Sequence, residues 1–191
     1  MENICLTIKC GQIYGITGEN GSGKTMLMRV IAGLVNPSSG QLMFDGKNRV
    51  DADPNIGIMI ENASLYPELS GRENLRLLAS IRKRATNEEI DQAIRRVGLE
   101  PEDKRTFRKY SLGMKQRLML AQAIMEQPEV LLLDEPTNAI DRKGVELVHQ
   151  IMSEEAQRGA IVLLASHVDY DIRALCSRVF LIEKGRLQME V

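Results

Sequence analysis

The sequence predicts an α/β fold with a mostly parallel β-sheet, an inserted helical subdomain and a reduced antiparallel β subdomain. Two runs, at 130–133 and 161–165, are apolar on both faces, as strands buried between two layers of helices are. Strand and helix patterns alternate around them, whereas a long middle stretch has helical patterns only. We therefore expect one domain, with a core at about 1–61 and 127–191 and a helical subdomain at about 62–126.

Composition argues against several classes of protein. The 25 basic and 26 acidic residues nearly cancel, so no net field attracts nucleic acid or an anionic membrane. The three cysteines form no CxxC pair, which indicates a reducing, intracellular setting. No stretch approaches the roughly 18–20 apolar residues that span a bilayer, and the first residues lack the pattern of a signal peptide. A membrane role would therefore depend on a partner protein.

Short strands are predicted in the N-terminal quarter. Apolar residues alternate at 4–8, which predicts a short strand with one buried face, and 12–17 predicts a second strand. The stretch 24–34 has the apolar spacing of a helix, and Gly33 favours its end. The segment 38–47 has the pattern of a turn, a short strand and another turn, which predicts the small antiparallel region.

Helical signals fill the middle of the chain. Two capping boxes, in which Ser or Thr precedes Glu by three residues, open predicted helices. These boxes are Ser70 with Glu73 and Thr86 with Glu89. Gly98 favours the end of the second helix, and a third helix begins near Ser111 and ends before Pro128.

The α/β pattern resumes in the last third of the chain. A strand at 130–134 is followed by a helix at about 142–157 and a strand at 160–166. A short helix around 170–176 and a hairpin at 184–185 complete the predicted elements.

A glycine-rich loop joins the strand at 12–17 to the helix that follows it. The loop consists of Gly18, Glu19, Asn20, Gly21, Ser22, Gly23, Lys24 and Thr25, and it matches the phosphate-binding P-loop pattern. Its backbone N–H groups and the helix N-terminus would hold phosphate oxygens. Lys24 would reach the β- and γ-phosphates, and the Thr25 hydroxyl would bind Mg²⁺. The pattern predicts the RecA-like P-loop NTPase fold; the alternative is a plain glycine-rich turn.

Two carboxylates end the strand at 130–134. Asp134 and Glu135 would lie at the carboxyl edge of the sheet, where ligand sites of α/β proteins are found. Asp134 would hold Mg²⁺ through a water molecule, and Glu135 would orient and polarise the attacking water. The alternative is an acidic strand end that caps the next helix.

With these motifs, the chain resembles the ATP-binding subunit of ABC transporters over nearly its whole length. The family's LSGGQ signature aligns with YSLGM at 110–114, which differs at three of its five positions. The similarity continues through KQRLMLAQAIMEQPEVLLLDEPTNAID, at 115–141. The resemblance implies an ATPase that uses ATP and Mg²⁺.

The resemblance also implies roles for single residues. Ser111 and Gly113 would contact the γ-phosphate of ATP held by the opposite subunit. Asp141 would communicate across the dimer, and His167 would be the switch histidine at the γ-phosphate. Ser111 and Asp141 also suit helix N-caps, and a lone histidine is often structural. His149, in the middle of a predicted helix, carries no comparable signal.

Two departures from the family pattern stand out. Glu61 replaces the usual glutamine of the Q-loop, as in sequences similar to bacitracin and lantibiotic exporter subunits, and we expect it to keep a weakened catalytic and metal-sensing role. Only 23 residues precede Lys24, and Tyr14 lies inside the strand before the loop. The strand with the family's adenine-stacking aromatic residue is therefore expected to be missing. Because base stacking contributes about 1–3 kcal/mol, ATP affinity is expected to be reduced.

The implied function is an ATP-hydrolysing subunit that dimerises around two ATP molecules and powers an ABC transporter. The region around Glu61 favours an exporter. Its partners would be a second ABC ATPase subunit and an integral membrane permease, the latter contacting about 61–80, with no nucleic acid. The subunit would lie in the cytoplasm, at the inner face of the membrane. The alternatives are a soluble ABC-type ATPase and a truncated nucleotide-binding module with little turnover. The membrane subunit would select the cargo, so this sequence does not identify the transported substrate.

Overall fold

The structure, a computed structural model, describes residues 1–60 and 65–190. Its strands are β1 (Ile13–Thr17), β2 (Met43–Phe44), β3 (Lys47–Asn48), β4 (Ile56–Met59), β5 (Val130–Asp134), β6 (Ile161–Ala165), β7 (Arg178–Glu183) and β8 (Arg186–Glu190). Its α-helices are α1 (Lys24–Ala32), α2 (Arg49–Ala52), α3 (Gly71–Arg82), α4 (Asn87–Arg96), α5 (Leu112–Ile124), α6 (Arg142–Gln157) and α7 (Asp169–Leu175). A short 3₁₀ turn covers Phe107–Lys109.

The main sheet has the strand order β4-β5-β6-β1-β7-β8, in which only the β7–β8 pair is antiparallel. Ala165, at the end of β6, pairs with Asp134 of β5 on one side and with Ile16 of β1 on the other. The loops that follow these three strands therefore emerge side by side at the carboxyl edge of the sheet. This strand order places the P-loop, the carboxylate pair and the loop of His167 together.

Two hydrophobic layers cover the sheet, one on each face. Along β5, Leu131 and Leu133 belong to the layer formed with α5 and α6, whereas Leu132 belongs to the layer formed with α1. All three leucines are fully buried. The prediction that these strands are covered on both faces is therefore confirmed. It explains why β5 and β6 carry apolar residues without alternation.

Both predicted capping boxes are present in the helices between β4 and β5. The Thr86 side chain accepts a hydrogen bond from the backbone N–H of Glu89, and the Glu89 carboxylate accepts from the N–H and the hydroxyl of Thr86. The backbone and then the side-chain hydrogen bonds from Thr86 hold the pKa of Glu89 below its usual value. The equivalent bonds join Ser70 and Glu73 at the start of α3.

Replacing Thr86 by alanine is expected to lower the free energy of unfolding by about 1 kcal/mol at neutral pH, because a cap bond is lost. The carboxylate contributes stability above its unfolded pKa and loses it as pH falls through the lowered folded pKa. The difference in free energy of unfolding between Thr86→Ala and the wild type should therefore become smaller in acid. Urea titrations at several pH values measure this difference. Thr106→Ala is the matched control, because Thr106 precedes the 3₁₀ turn without a side-chain cap bond; an equal loss there would contradict the capping account.

One predicted strand does not form, and two observed elements were not predicted. Residues 4–8 form no strand, although Ile4, Leu6 and Ile8 pack on the layer beside α1 as their alternation implied. The alternation marks a buried face, but within the described residues no neighbouring strand pairs with this segment. Conversely, β4 and α2 are absent from the predicted elements. Among the described residues, no helix is long and apolar enough to cross a membrane.

Candidate functional site

The P-loop connects β1 to α1 at the carboxyl edge of the sheet. Gly18, Gly21 and Gly23 have positive φ angles of 139°, 79° and 117°, which L side chains rarely adopt. A Cβ atom at Gly18 would also collide with the carbonyl oxygen of Ile182 on β7. The loop can therefore curl with its backbone N–H groups inward, as phosphate binding requires.

Lys24 opens α1 and is only 7% exposed. Its ammonium group donates to the carbonyl oxygens of Gly18 and Glu19, at 2.6 and 3.1 Å. An ammonium group carries three donors, so one remains for a phosphate oxygen. Nearby, the hydroxyl of Ser22 is buried and has no hydrogen-bond partner within the described part of the chain. A bound phosphate would satisfy both groups.

Thr25 and Asp134 meet across the sheet edge. The Thr25 hydroxyl donates to Oδ2 of Asp134 at 2.5 Å, and Asp134 is 5% exposed. In residues 1–60 and 65–190, no cluster of three or more His, Cys, Asp or Glu side chains is arranged to hold a metal. Mg²⁺ does not need such a cluster, because it is usually bound by one or two protein oxygens, waters and substrate phosphates. The pair Thr25 and Asp134 fits that kind of site.

Glu135 and His167 form a second pair beside the first. Oε1 of Glu135 lies 2.8 Å from Nδ1 of His167 and accepts from the His167 backbone N–H at 3.1 Å. Oε2 of Glu135 is buried and has no partner among the described residues. A carboxylate oriented through one oxygen, with the other unpaired, can orient a water molecule and accept its proton. The imidazole is 61% exposed at the edge of the site.

The backbone at Glu135 is also constrained. Glu135 has a positive φ of 51°, its N–H donates to Ala165, and its carbonyl oxygen accepts from Nε2 of Gln116 at 2.9 Å. Sequence reasoning missed Gln116 as a site residue. It stands in the KQR segment that continues the family resemblance, but nothing local indicates that α5 reaches β5 there.

Two of the remaining predicted residues, Ser111 and Asp141, lie at helix N-termini. Ser111 caps α5, since its hydroxyl accepts from the N–H of Met114 at 3.2 Å, and a Cβ at Gly113 would lie 3.2 Å from the carbonyl oxygen of Ala139. Asp141 caps α6 by accepting from Gly144 at 3.1 Å. The N-cap alternatives for both residues therefore hold, and they leave the intersubunit roles open. Glu61 lies outside the described residues.

Comparison with known proteins matches this geometry to a family. The ABC transporter family profile matches residues 1–138. The chain is 45% identical to the ABC transporter ATP-binding protein YybJ of Bacillus subtilis (strain 168), covering 98% of this chain and 88% of that protein. It is 37% identical to the bacitracin transport ATP-binding protein BcrA of Bacillus licheniformis, covering all of this chain but 64% of that protein.

The fold also matches a solved cassette. The ATP-binding cassette MJ0796, solved as a dimer bound to ADP and Pi in a post-hydrolysis state, superposes with a TM-score of 0.89 at 25% identity. That match covers 98% of this chain and 88% of MJ0796. The expected P-loop fold is thereby confirmed. With its P-loop, carboxylate pair and sheet order accounted for by one family, the chain belongs to the ABC transporter family, as an ATP-binding ATPase subunit.

Proposed function

We propose that this subunit closes with a second ABC ATPase subunit around two ATP molecules and drives an integral membrane permease that exports its cargo. The observation that carries the proposal is the gathering of Lys24, the Thr25–Asp134 pair and the Glu135–His167 pair at one edge of the sheet. These groups suit ATP hydrolysis, and none of the five lies on α5, the helix that follows Ser111. Ser111 is exposed, and its described side-chain hydrogen bond joins it to Met114 in the first turn of α5.

The residues divide the chemistry among them. Lys24 and the backbone of 18–25 hold the β- and γ-phosphates, where charge develops in phosphoryl transfer. Thr25 and Asp134 would hold Mg²⁺, which would supply positive charge to neutralise the phosphates, and Glu61 would be a further oxygen ligand. Glu135 takes the proton of the attacking water through Oε2.

The other roles cross the subunit boundary or face the γ-phosphate. His167 would contact the γ-phosphate with its exposed ring. The partner's copies of Ser111 and Gly113 close the site, offering a hydroxyl and the N–H groups of a helix start. Asp141, at the start of α6, communicates between the two sites.

The exporter role rests on the similarity to a bacitracin transport protein, and the contact with a permease rests on exposed apolar side chains. Tyr66, Leu77 and Ile81, before and along α3, are 57%, 41% and 75% exposed. Tyr66 and Leu77 lie within the segment at about 61–80 that we assign to the permease, and Ile81 directly follows it. The helical subdomain at about 62–126 would present this surface, and the core at 1–61 and 127–191 would carry the nucleotide. Bound in this way, the subunit would work at the cytoplasmic face of the membrane.

A complementation experiment tests the shared site. Lys24→Ala removes the ammonium group that would hold the phosphates, and Ser111→Arg places a bulky side chain where the partner's γ-phosphate would lie. Each variant alone is expected to lose turnover. In a 1:1 mixture, half of the dimers would contain one intact site, so activity should recover to about a quarter of the wild type. Phosphate release measures it, and thermal unfolding checks that Ser111→Arg folds. A mixture as inactive as its components would contradict the proposal.

A further inference from the structure

A buried carboxylate outside the proposed catalytic set lies directly behind it. Asp171, on α7, is 1% exposed. Oδ2 accepts from the hydroxyl of Thr137 at 2.6 Å and from that of Ser166 at 3.5 Å, and Oδ1 lies 2.8 Å from Nε2 of His149. Burying an ionisable group without partners is costly, so three partners on three different segments indicate an organised network.

Two of these partners stand next to the proposed catalytic residues. Thr137 follows Glu135 by two positions, in the loop after β5. Ser166 immediately precedes His167, and its hydroxyl also accepts from the N–H of Val168, at 3.0 Å. The Asp171 carboxylate thus joins the loop that carries Glu135 to the turn that carries His167.

His149 holds the other side of the carboxylate. It lies on α6, the helix that Asp141 caps, and its ring stacks on Tyr170 with centroids 5.7 Å apart. The sequence around His149 contains no functional signal, because its partner is distant in the chain. In the fold its ring contacts Oδ1 of Asp171, so the Asp171 carboxylate connects α6 to the loops that carry Glu135 and His167.

We propose that Asp171, held by His149, is a positioning residue that sets the Glu135–His167 pair. The proposal rests on the catalytic roles assigned above. The His167 ring is largely exposed, so packing alone does not fix its loop. Glu135 holds that loop from one side, and the hydrogen bond from Ser166 to Asp171 holds it from behind. Displacements of about 1 Å near reacting atoms cost up to roughly a hundredfold in rate.

The test compares Thr137→Val with Thr137→Ser. Valine has a similar shape but lacks the hydroxyl that reaches Asp171, whereas serine retains it. We expect Thr137→Val to lower kcat roughly 10- to 100-fold with KM for ATP changed less than about twofold, since the phosphate loop is untouched. Thr137→Ser should restore most of kcat. His149→Phe, which keeps the stacked ring, should lower kcat in the same direction.

Glu155→Ala is the matched control, because Glu155 is also a buried carboxylate, 2% exposed and paired with Arg96 and Arg158 away from the site. It should lower the melting temperature without changing kcat. Wild-type kcat in Thr137→Val, or an equal kcat loss in Glu155→Ala, would overturn the positioning role. The proposed function is tested apart from this, by the mixture of Lys24→Ala and Ser111→Arg, in which Asp171 and its partners are unchanged.

Discussion

Glu135→Gln is expected to lower kcat for ATP hydrolysis by about 10²–10⁴-fold, the range for loss of a general base. Glutamine has the same length and can still accept from the backbone N–H of His167. Its amide cannot take a proton from water at the position of Oε2, the atom without a partner among the described residues. Affinity for ATP should stay within about threefold, because Lys24 and the P-loop are unchanged.

Phosphate release in a single turnover measures the chemical step, and equilibrium dialysis with ATP measures binding. Glu146→Gln provides the control, because Glu146 is an exposed carboxylate on α6 that pairs with Arg142, four residues earlier. It should leave both quantities unchanged. If Glu135→Gln lowered kcat by less than about tenfold, another group would have to act as the base.

Lys24→Ala is expected to weaken ATP binding by about 10- to 150-fold, which corresponds to roughly 1.5–3 kcal/mol for hydrogen bonds to a charged group. Lys24 is only 7% exposed, and the contacts of its ammonium group with Gly18 and Glu19 place that group at the expected phosphate position. Hydrolysis should fall further than binding, because charge on the transferred phosphoryl group grows in the transition state.

Isothermal titration with Mg²⁺ and ATP measures this loss. Thermal unfolding without nucleotide shows whether removing the two loop contacts also destabilises the fold. Lys47→Ala removes an equal charge from the exposed strand β3 and should not change ATP affinity. If Lys24→Ala bound ATP as tightly as Lys47→Ala, the loop would not be the phosphate site.

Much of the fold follows from local patterns. The capping boxes at Ser70 and Thr86 place the starts of α3 and α4, because the bonds that form them join residues only three apart. The predicted helix at 142–157 coincides with α6, whose cap is Asp141. Such features depend on near neighbours, so the sequence alone predicts them.

Where the prediction failed, the deciding contacts were distant. The alternation at 4–8 shows which face is buried, yet a strand needs a partner, and pairing is a property of the whole sheet. Gln116 and Glu135 are joined across 19 residues, and His149 and Asp171 across 22. The residues around Gln116 and His149 do not indicate which distant residue each side chain contacts.

The same division holds at the site. By itself the sequence determined the P-loop, the carboxylate pair and the family, because phosphate binding and strand ends impose local spacing. Only the tertiary structure decided that Thr25 reaches Asp134, that Glu135 holds His167, and that Asp171 ties the two loops together. The physical reason is the strand order, which sets β6 between β5 and β1 and so brings residues more than a hundred positions apart within hydrogen-bond distance.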